Sequence, residues 1–242
     1  MSCLLAIETA TDVCSVALMQ HGTVVAASTL VRPRAHAENL VPMIRDVLGY
    51  AGVPPERLEA VAVSKGPGSY TGLRIGVSTA KGLVVALGIR LVGVPSLEAL
   101  AAQLVPVTAP GDLICTAFNA RRDEVYVAAF RRAADGLTPA AETAALPVTA
   151  LADWLPSPGA GRLWLAGEGA PAVAAALPPA RREDLHLVDP ACLVPDAGAV
   201  ARLGRLRLER GQTEDPATFE PFYLKPFVAR KAPRSAFERL PF

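Results

Sequence analysis

One plan of elements runs through the 242-residue chain twice, and no other feature restricts its fold as much. Short apolar runs at residues 3–9, 14–20 and 24–30 are separated by the turn signals Thr11-Asp12 and His21-Gly22, which predicts an antiparallel meander. Leu40, Ile44, Val47 and Leu48 recur at helical spacing and predict a helix over 35–51. A buried strand at 60–65, a helix at 70–87, a strand at 90–94 and a short helix at 96–104 complete the first pass. From Pro106 the plan begins again, with a hairpin of 112–118 and 124–131, a third strand near 144–148 and a helix at 149–154. Strands at 163–166 and 185–188 then alternate with helices at 171–177 and 196–210. Each half reads β-β-β-α-β-α-β-α, and a duplicated unit of this kind sets the architecture before any motif is weighed.

Three antiparallel strands followed by alternating strands and helices call for a mixed sheet flanked by helices. Two such sheets facing one another describe the actin/Hsp70-like architecture, an α/β fold of two duplicated ribonuclease-H-like halves. The expected halves are residues 1–105 and 106–242, the second ending in a closing helix and a tail. The linker-like run V-P-V-T-A-P-G at 105–111 marks the boundary.

Composition narrows the function classes. The net charge of +1 supplies no global field for independent nucleic-acid binding, so any RNA contact has to be local or supplied through a partner. Cys3, Cys14, Cys115 and Cys192 show no C-x-x-C spacing, which speaks against the usual zinc and redox motifs and against a disulfide framework. Cys3 and Cys115 lie in apolar runs and are expected to be small buried hydrophobes. The apolar start has no basic leader and is cut by Glu8, and the longest apolar stretch, 82–89, is well short of the ~20 residues of a membrane span. A soluble, cytoplasmic protein is the expectation.

The run S-K-G-P-G-S-Y-T-G-L-R-I-G, at 64–76, sits where a strand gives way to a helix, the usual place of a phosphate loop. A Walker loop ends in Gly-Lys-Ser/Thr, but here Lys65 precedes the glycines. A dinucleotide fingerprint needs G-x-G-x-x-G; Gly66 and Gly68 fit, the next position is Thr71, and Gly72 comes one late. Neither loop is present. The glycines then serve backbone geometry, with Ser69 or Thr71 as a helix cap. Gly72, Gly76 and Ala80 leave one stripe of the following helix bare, at a cost of about 1 kcal/mol per glycine relative to alanine. Such a stripe indicates close approach, either inside the chain or across a subunit interface.

The same run resembles the signature of the TsaB (YeaZ) family. A-I-E-T-A-T-D at 6–12 is similar to that family's first hairpin, and R-x-H-A-E-x-L-V-P at 34–42 to its first-helix motif. N-A-R-R-D-E-V-Y at 119–126 resembles its second hairpin, with Asn119 where aspartate is usual, and P-F-Y-L-K at 221–225 its C-terminal motif. The resemblance implies a non-catalytic subunit that activates a TsaD-type enzyme in forming N6-threonylcarbamoyladenosine beside the tRNA anticodon. It further implies a TsaE-type ATPase as partner, tRNA contact only through the complex, and a homodimer when the chain is alone. The first half would then bear the partner surface, expected at His36, Leu40, Ile44, Gly72, Leu73 and Gly76 with Arg74 at its rim.

The TsaD-type relative holds a metal with two histidines four residues apart on one helix face. The matching positions here are Ser96 and Leu100, and leucine ligates no metal. His21, His36 and His186 have no metal-like spacing, and His36 and Glu38 do not share a helix face. The phosphate-embracing turns of the architecture correspond to 8–12, which keeps Thr9, Thr11 and Asp12 without a glycine, and to 119–123, which carries Arg121 and Arg122. Gly167-Glu168-Gly169 falls where an adenine-contacting loop would lie. No catalytic, cofactor or metal site is assigned. The tail, with Lys225, Arg230, Lys231, Arg234 and Arg239 beside Phe219, Phe222, Tyr223 and Phe227, is either a packed-back segment or an aid to RNA binding. The rival readings are an ATP- or metal-dependent transferase or peptidase acting alone, and a homodimeric scaffold outside tRNA modification.

Overall fold

The computed structural model describes residues 3–120 and 123–225. The first sheet is built from β1 (Cys3–Glu8), β2 (Val13–Gln20), β3 (Thr23–Val31), β4 (Ala60–Gly66) and β5 (Arg90–Pro95), in the order β3-β2-β1-β4-β5. The second contains β6 (Leu113–Asn119), β7 (Glu124–Ala133), β8 (Gly136–Pro147), β9 (Leu163–Ala166) and β10 (Leu185–Leu187), in the order β10-β9-β6-β7-β8. Read from the opposite edge, the second order repeats the first. In each sheet the first three strands are antiparallel and the last two run parallel to the first, as Ala6 opposite Ala17 and beside Ala62 illustrates. This is the expected fold of two duplicated ribonuclease-H-like halves.

The alternation of side chains along β1 sorts two cores. Cys3, Leu5 and Ile7 face α1 (His36–Tyr50) and α2 (Tyr70–Leu87), and Leu4 and Ala6 face the opposite side. α2 starts on the Ser69 hydroxyl, which accepts the Gly72 N–H at 3.2 Å, and stops at Gly88 in the left-handed region (φ 64°). On the second sheet, α4 (Leu151–Trp154) and α5 (Ala170–Ala176) cover one face through Leu151, Leu155 and Val173. Cys3, Cys14 and Cys115 are free and buried, and burial pushes the Cys115 thiol up to about 12, so it behaves as an apolar filler.

Two elements differ from the sequence expectation. The third strand of the second half is twelve residues long and begins eight residues early, because Pro139 and a run of alanines hide its period while pairing with β7 holds it. An edge strand tolerates such a proline. The closing helix α6 (Ala197–Glu209), which chain order groups with the second half, packs on the first sheet against Leu4, Ala6, Ala62 and Val92. Gly204 permits this, since a Cβ there would approach that of Ala62 to 2.5 Å. Reciprocally, α3 (Ser96–Ala102) sends Leu97, Leu100 and Ala101 into a cluster with Ile114, Phe118 and Ala128 of the second sheet. The exchanged helices join the halves.

Candidate functional site

The strand ends β1 and β4 of the first sheet and β6 and β9 of the second meet at a common mouth, the place where the architecture would take a ligand. Here Ala10 from the β1–β2 turn, Leu73 of α2, Leu97 and Leu100 of α3, Phe118 and Ala166 form one buried apolar cluster. The glycine-rich segment closes it further. The Ser69 N–H donates to the Ala10 carbonyl at 2.6 Å, and Gly68 lies so close to that carbonyl that a Cβ would overlap it. Gly66, at φ 106°, is likewise pressed against Leu73 and against the Phe222 carbonyl. These glycines let two loops touch rather than cradle a phosphate.

The polar groups around the mouth are acidic. Glu8 is fully buried; one of its oxygens accepts the Ala10 N–H at 2.6 Å, and the other makes no hydrogen bond among the described residues. Burial pushes its carboxyl up to about 7; the Ala10 N–H and the Ser64 hydroxyl pull the other way, and the nearby Asp196 carboxylate adds to the rise. Thr9 donates its N–H to the Ser64 hydroxyl at 3.2 Å, and its own hydroxyl is buried without a partner. Across the mouth, Glu168 accepts the Asn119 N–H at 3.2 Å. Burial raises the Glu168 carboxyl too, against that N–H, and Asp12 of the first turn adds to the effect. Among the described residues, both turns thus present carboxyl groups to the mouth. Arg121 and Arg122, on the second turn, lie outside the described residues.

Ser96 and Leu100, at the positions that match the relative's metal pair, are both fully buried in structural contacts. The Ser96 hydroxyl accepts the Gly66 N–H at 3.0 Å, which fixes the glycine turn to the start of α3, and Leu100 fills the apolar cluster. Among the described residues no three His, Cys, Asp or Glu side chains converge so as to hold a metal ion. A cavity of about 440 Å3 opens at the other end of the second sheet, lined by Asp112, Arg162 and Trp164. Asp112 is already engaged by the N–H groups of Arg162 and Ala109 and by the Trp164 indole, at 2.9, 3.0 and 2.9 Å.

The surface expected on α1 and α2 is rearranged by the packing. Of His36, Leu40, Ile44, Gly72, Leu73, Arg74 and Gly76, only Arg74 is exposed; the other six are buried within the chain itself. His36 shares a hydrogen bond with the Val13 carbonyl (Nε2···O 3.1 Å), and Leu40 and Ile44 belong to the core over the first sheet. The bare stripe is filled from inside: Gly72 is packed on the Thr9 carbonyl and Gly76 on the Thr9 hydroxyl. Their lack of a side chain makes room for the end of β1.

What α1 and α2 turn outward is different. On α1, Val41 and Tyr50 are 62% and 78% exposed, and on α2 Val85 is 69% exposed beside Arg74, Ser78 and Gly82. Gly82 has open space where its Cβ would stand. The signal that marks this side of α2 in the sequence is an apolar residue out of phase with the core stripe, Val85, three residues from a helical glycine that no described neighbour packs on.

Comparisons with known proteins agree with this architecture. A family model described as "TsaD: tRNA N6-adenosine threonylcarbamoyltransferase" matches residues 24–224. The tRNA threonylcarbamoyladenosine biosynthesis protein TsaB of Escherichia coli is 38% identical over 143 residues, which cover 59% of this chain and 61% of that protein. The chain thus spans less than two thirds of that relative's length. An uncharacterized protein of Mycobacterium tuberculosis is 37% identical over 226 residues, 93% of this chain and 92% of its own. The solved structure of YeaZ from Pseudomonas aeruginosa superposes with a TM-score of 0.80 at 31% identity, covering 93% of this chain and 100% of that one. On these matches the chain belongs to the family that the TsaD model describes and, within it, to the TsaB (YeaZ) proteins.

Proposed function

We propose that this chain is a non-catalytic partner subunit in the formation of N6-threonylcarbamoyladenosine in tRNA, and that it activates a TsaD-type catalytic subunit in the cytoplasm. The relatives named for threonylcarbamoyladenosine biosynthesis support the process. The observation that carries the subunit role is the outward face of α2. Gly82 costs its helix about 1 kcal/mol relative to alanine, and among the described residues no neighbour uses the gap. With Ser78 and Val85 on the same outward side of α2, it lets a partner helix approach closely over apolar surface. Arg74 lies at its rim. A second copy of the chain would occupy the same face in the absence of the catalytic subunit. A TsaE-type ATPase joins the assembly in this reading, and tRNA is contacted through the complex.

The mouth filled by apolar side chains supports a role without chemistry of its own. Size exclusion with a TsaD-type protein tests the reading. Wild type should co-elute with it and stimulate threonylcarbamoyl transfer to tRNA, and Gly82→Arg and Val85→Asp should lose both while melting as wild type does. A complex that survives both substitutions would remove the proposed face. Tight ATP binding or tRNA modification by the purified chain alone would favour the enzyme reading instead.

A further inference from the structure

After α6 the chain runs back over the first half and then leaves it. Glu214 donates its N–H to the Leu91 carbonyl at 2.9 Å, making a bridge on the free side of β5, and its carboxylate pairs with Lys65 at 3.3 Å. Phe219 enters the core of the first half, 7% exposed, and its carbonyl accepts from Lys81 Nζ at 3.0 Å. Gly93 makes this path, since a Cβ there would come within 2.9 Å of the Phe219 ring. The Phe222 N–H donates to the Lys65 carbonyl at 2.6 Å, so the segment lies along the end of β4. Tyr223 then rests on Tyr70 with ring centroids 4.9 Å apart, and Arg74 lies over the other ring at 5.1 Å from its centroid. Finally Lys225 pairs with Glu124, the first residue of β7 in the second sheet. Register puts Glu124 at the same end of that sheet as Asn119 and Ala166. The segment therefore crosses the mouth from one half to the other.

The two ends of this strap are held very differently. On the first half it has a buried aromatic anchor, a strand-like bridge and several hydrogen bonds. Among the described residues its polar hold on the second half is one ion pair whose side chains are 28% and 34% exposed, the kind of contact that is weak and screened by salt. We propose that residues 219–225 form a salt-releasable latch, anchored on the first half and closing the mouth through Lys225 and Glu124. Its release frees the end of the strap and uncovers Tyr70, on which Tyr223 rests, while α3 and α6 keep the halves joined. This inference stands on the strap alone and holds whether or not the outer face of α2 binds a partner.

The distance between a spin label on the strap and one on the second half tests it in the full-length chain. Leu224, half-buried on the strap, and Asp135, exposed on the second half, take the labels as cysteines once the exposed Cys192 is serine. At low salt the wild-type latch should give one narrow distance distribution. Lys225→Met, Glu124→Gln, or about 1 M salt should each add a longer, broader population. The charge swap Lys225→Glu with Glu124→Lys should restore the narrow one at low salt. Amide exchange at 219–225 should rise in both single variants and return in the swap, a readout independent of the labels. A distribution unmoved by all three perturbations, or a swap that fails to restore it, would overturn the latch.

Discussion

The hydroxyl of Thr9, at the end of β1, occupies the space that a side chain on Gly76 of α2 would need. This contact joins the first turn of the chain to the glycine-rich helix, and it turns the family's most visible motif inward.

Substitutions at two glycines of the same helix should consequently go in opposite directions. Gly76→Ala forces a methyl group onto the buried Thr9 side chain and should cost about 1–3 kcal/mol. Gly82→Ala meets open space and should gain up to about 1 kcal/mol from helix propensity. Urea unfolding of both variants checks the pair. Equal effects would mean that the stripe is not packed on Thr9.

Glu8 makes stability depend on pH near neutrality. Its folded value of about 7 lies above the ordinary 4.5, so the folded state holds the proton more tightly than the unfolded one. The stability this contributes is complete below about 4.5 and is lost as pH rises through 7, a loss on the order of 3 kcal/mol. Glu8→Gln should flatten that part of the pH profile and should equal or exceed wild type at pH 8. Thermal melts between pH 5 and 8 decide it.

The strap's two phenylalanines should differ sharply. Phe219 is 7% exposed, and its replacement by alanine should cost roughly 3–5 kcal/mol. Phe222 is 46% exposed and hydrogen-bonds through its backbone, so Phe222→Ala should cost under about 1 kcal/mol. Chemical denaturation of each variant measures the contrast.

Asp112 should respond in the opposite sense to Glu8. Burial raises its carboxyl, but the N–H groups of Arg162 and Ala109 and the Trp164 indole together hold it below its ordinary 3.8. Its contribution is present above that value and disappears as pH falls through the lower folded one. Asp112→Asn turns one acceptor into a donor facing N–H groups, which should cost about 1–3 kcal/mol at neutral pH. Native-state amide exchange at Arg162 and Ala109 reports it.

Most of the fold is legible in the chain because its signals are local. The 3.6-residue spacing from Leu40 to Leu48 makes α1, and Ser69 and Gly88 bound α2 with a cap and a left-handed stop. The repeated order of elements leads to two sheets with one strand order. β8 is the exception, since alanine and proline carry little period and its pairing with β7 supplies what the pattern lacks. The absence of a phosphate loop is also local, a matter of where Lys65 stands relative to Gly66 and Gly68.

The placement of the functional residues follows another rule. The glycines at 72 and 76 announce a close approach, but whether the approaching group is Thr9 or another subunit depends on a strand 63 to 67 residues away in the chain. The same holds for α6 and for the strap, whose partners Ala62, Lys65 and Glu124 are distant in sequence. Periodicity assigns a helix its faces, and burial against distant segments selects which face is inside. The glycine-rich run therefore shows in advance that a helix will be approached closely; the packing of β1 against it puts that approach inside the chain and leaves Gly82 and Val85 on the outside.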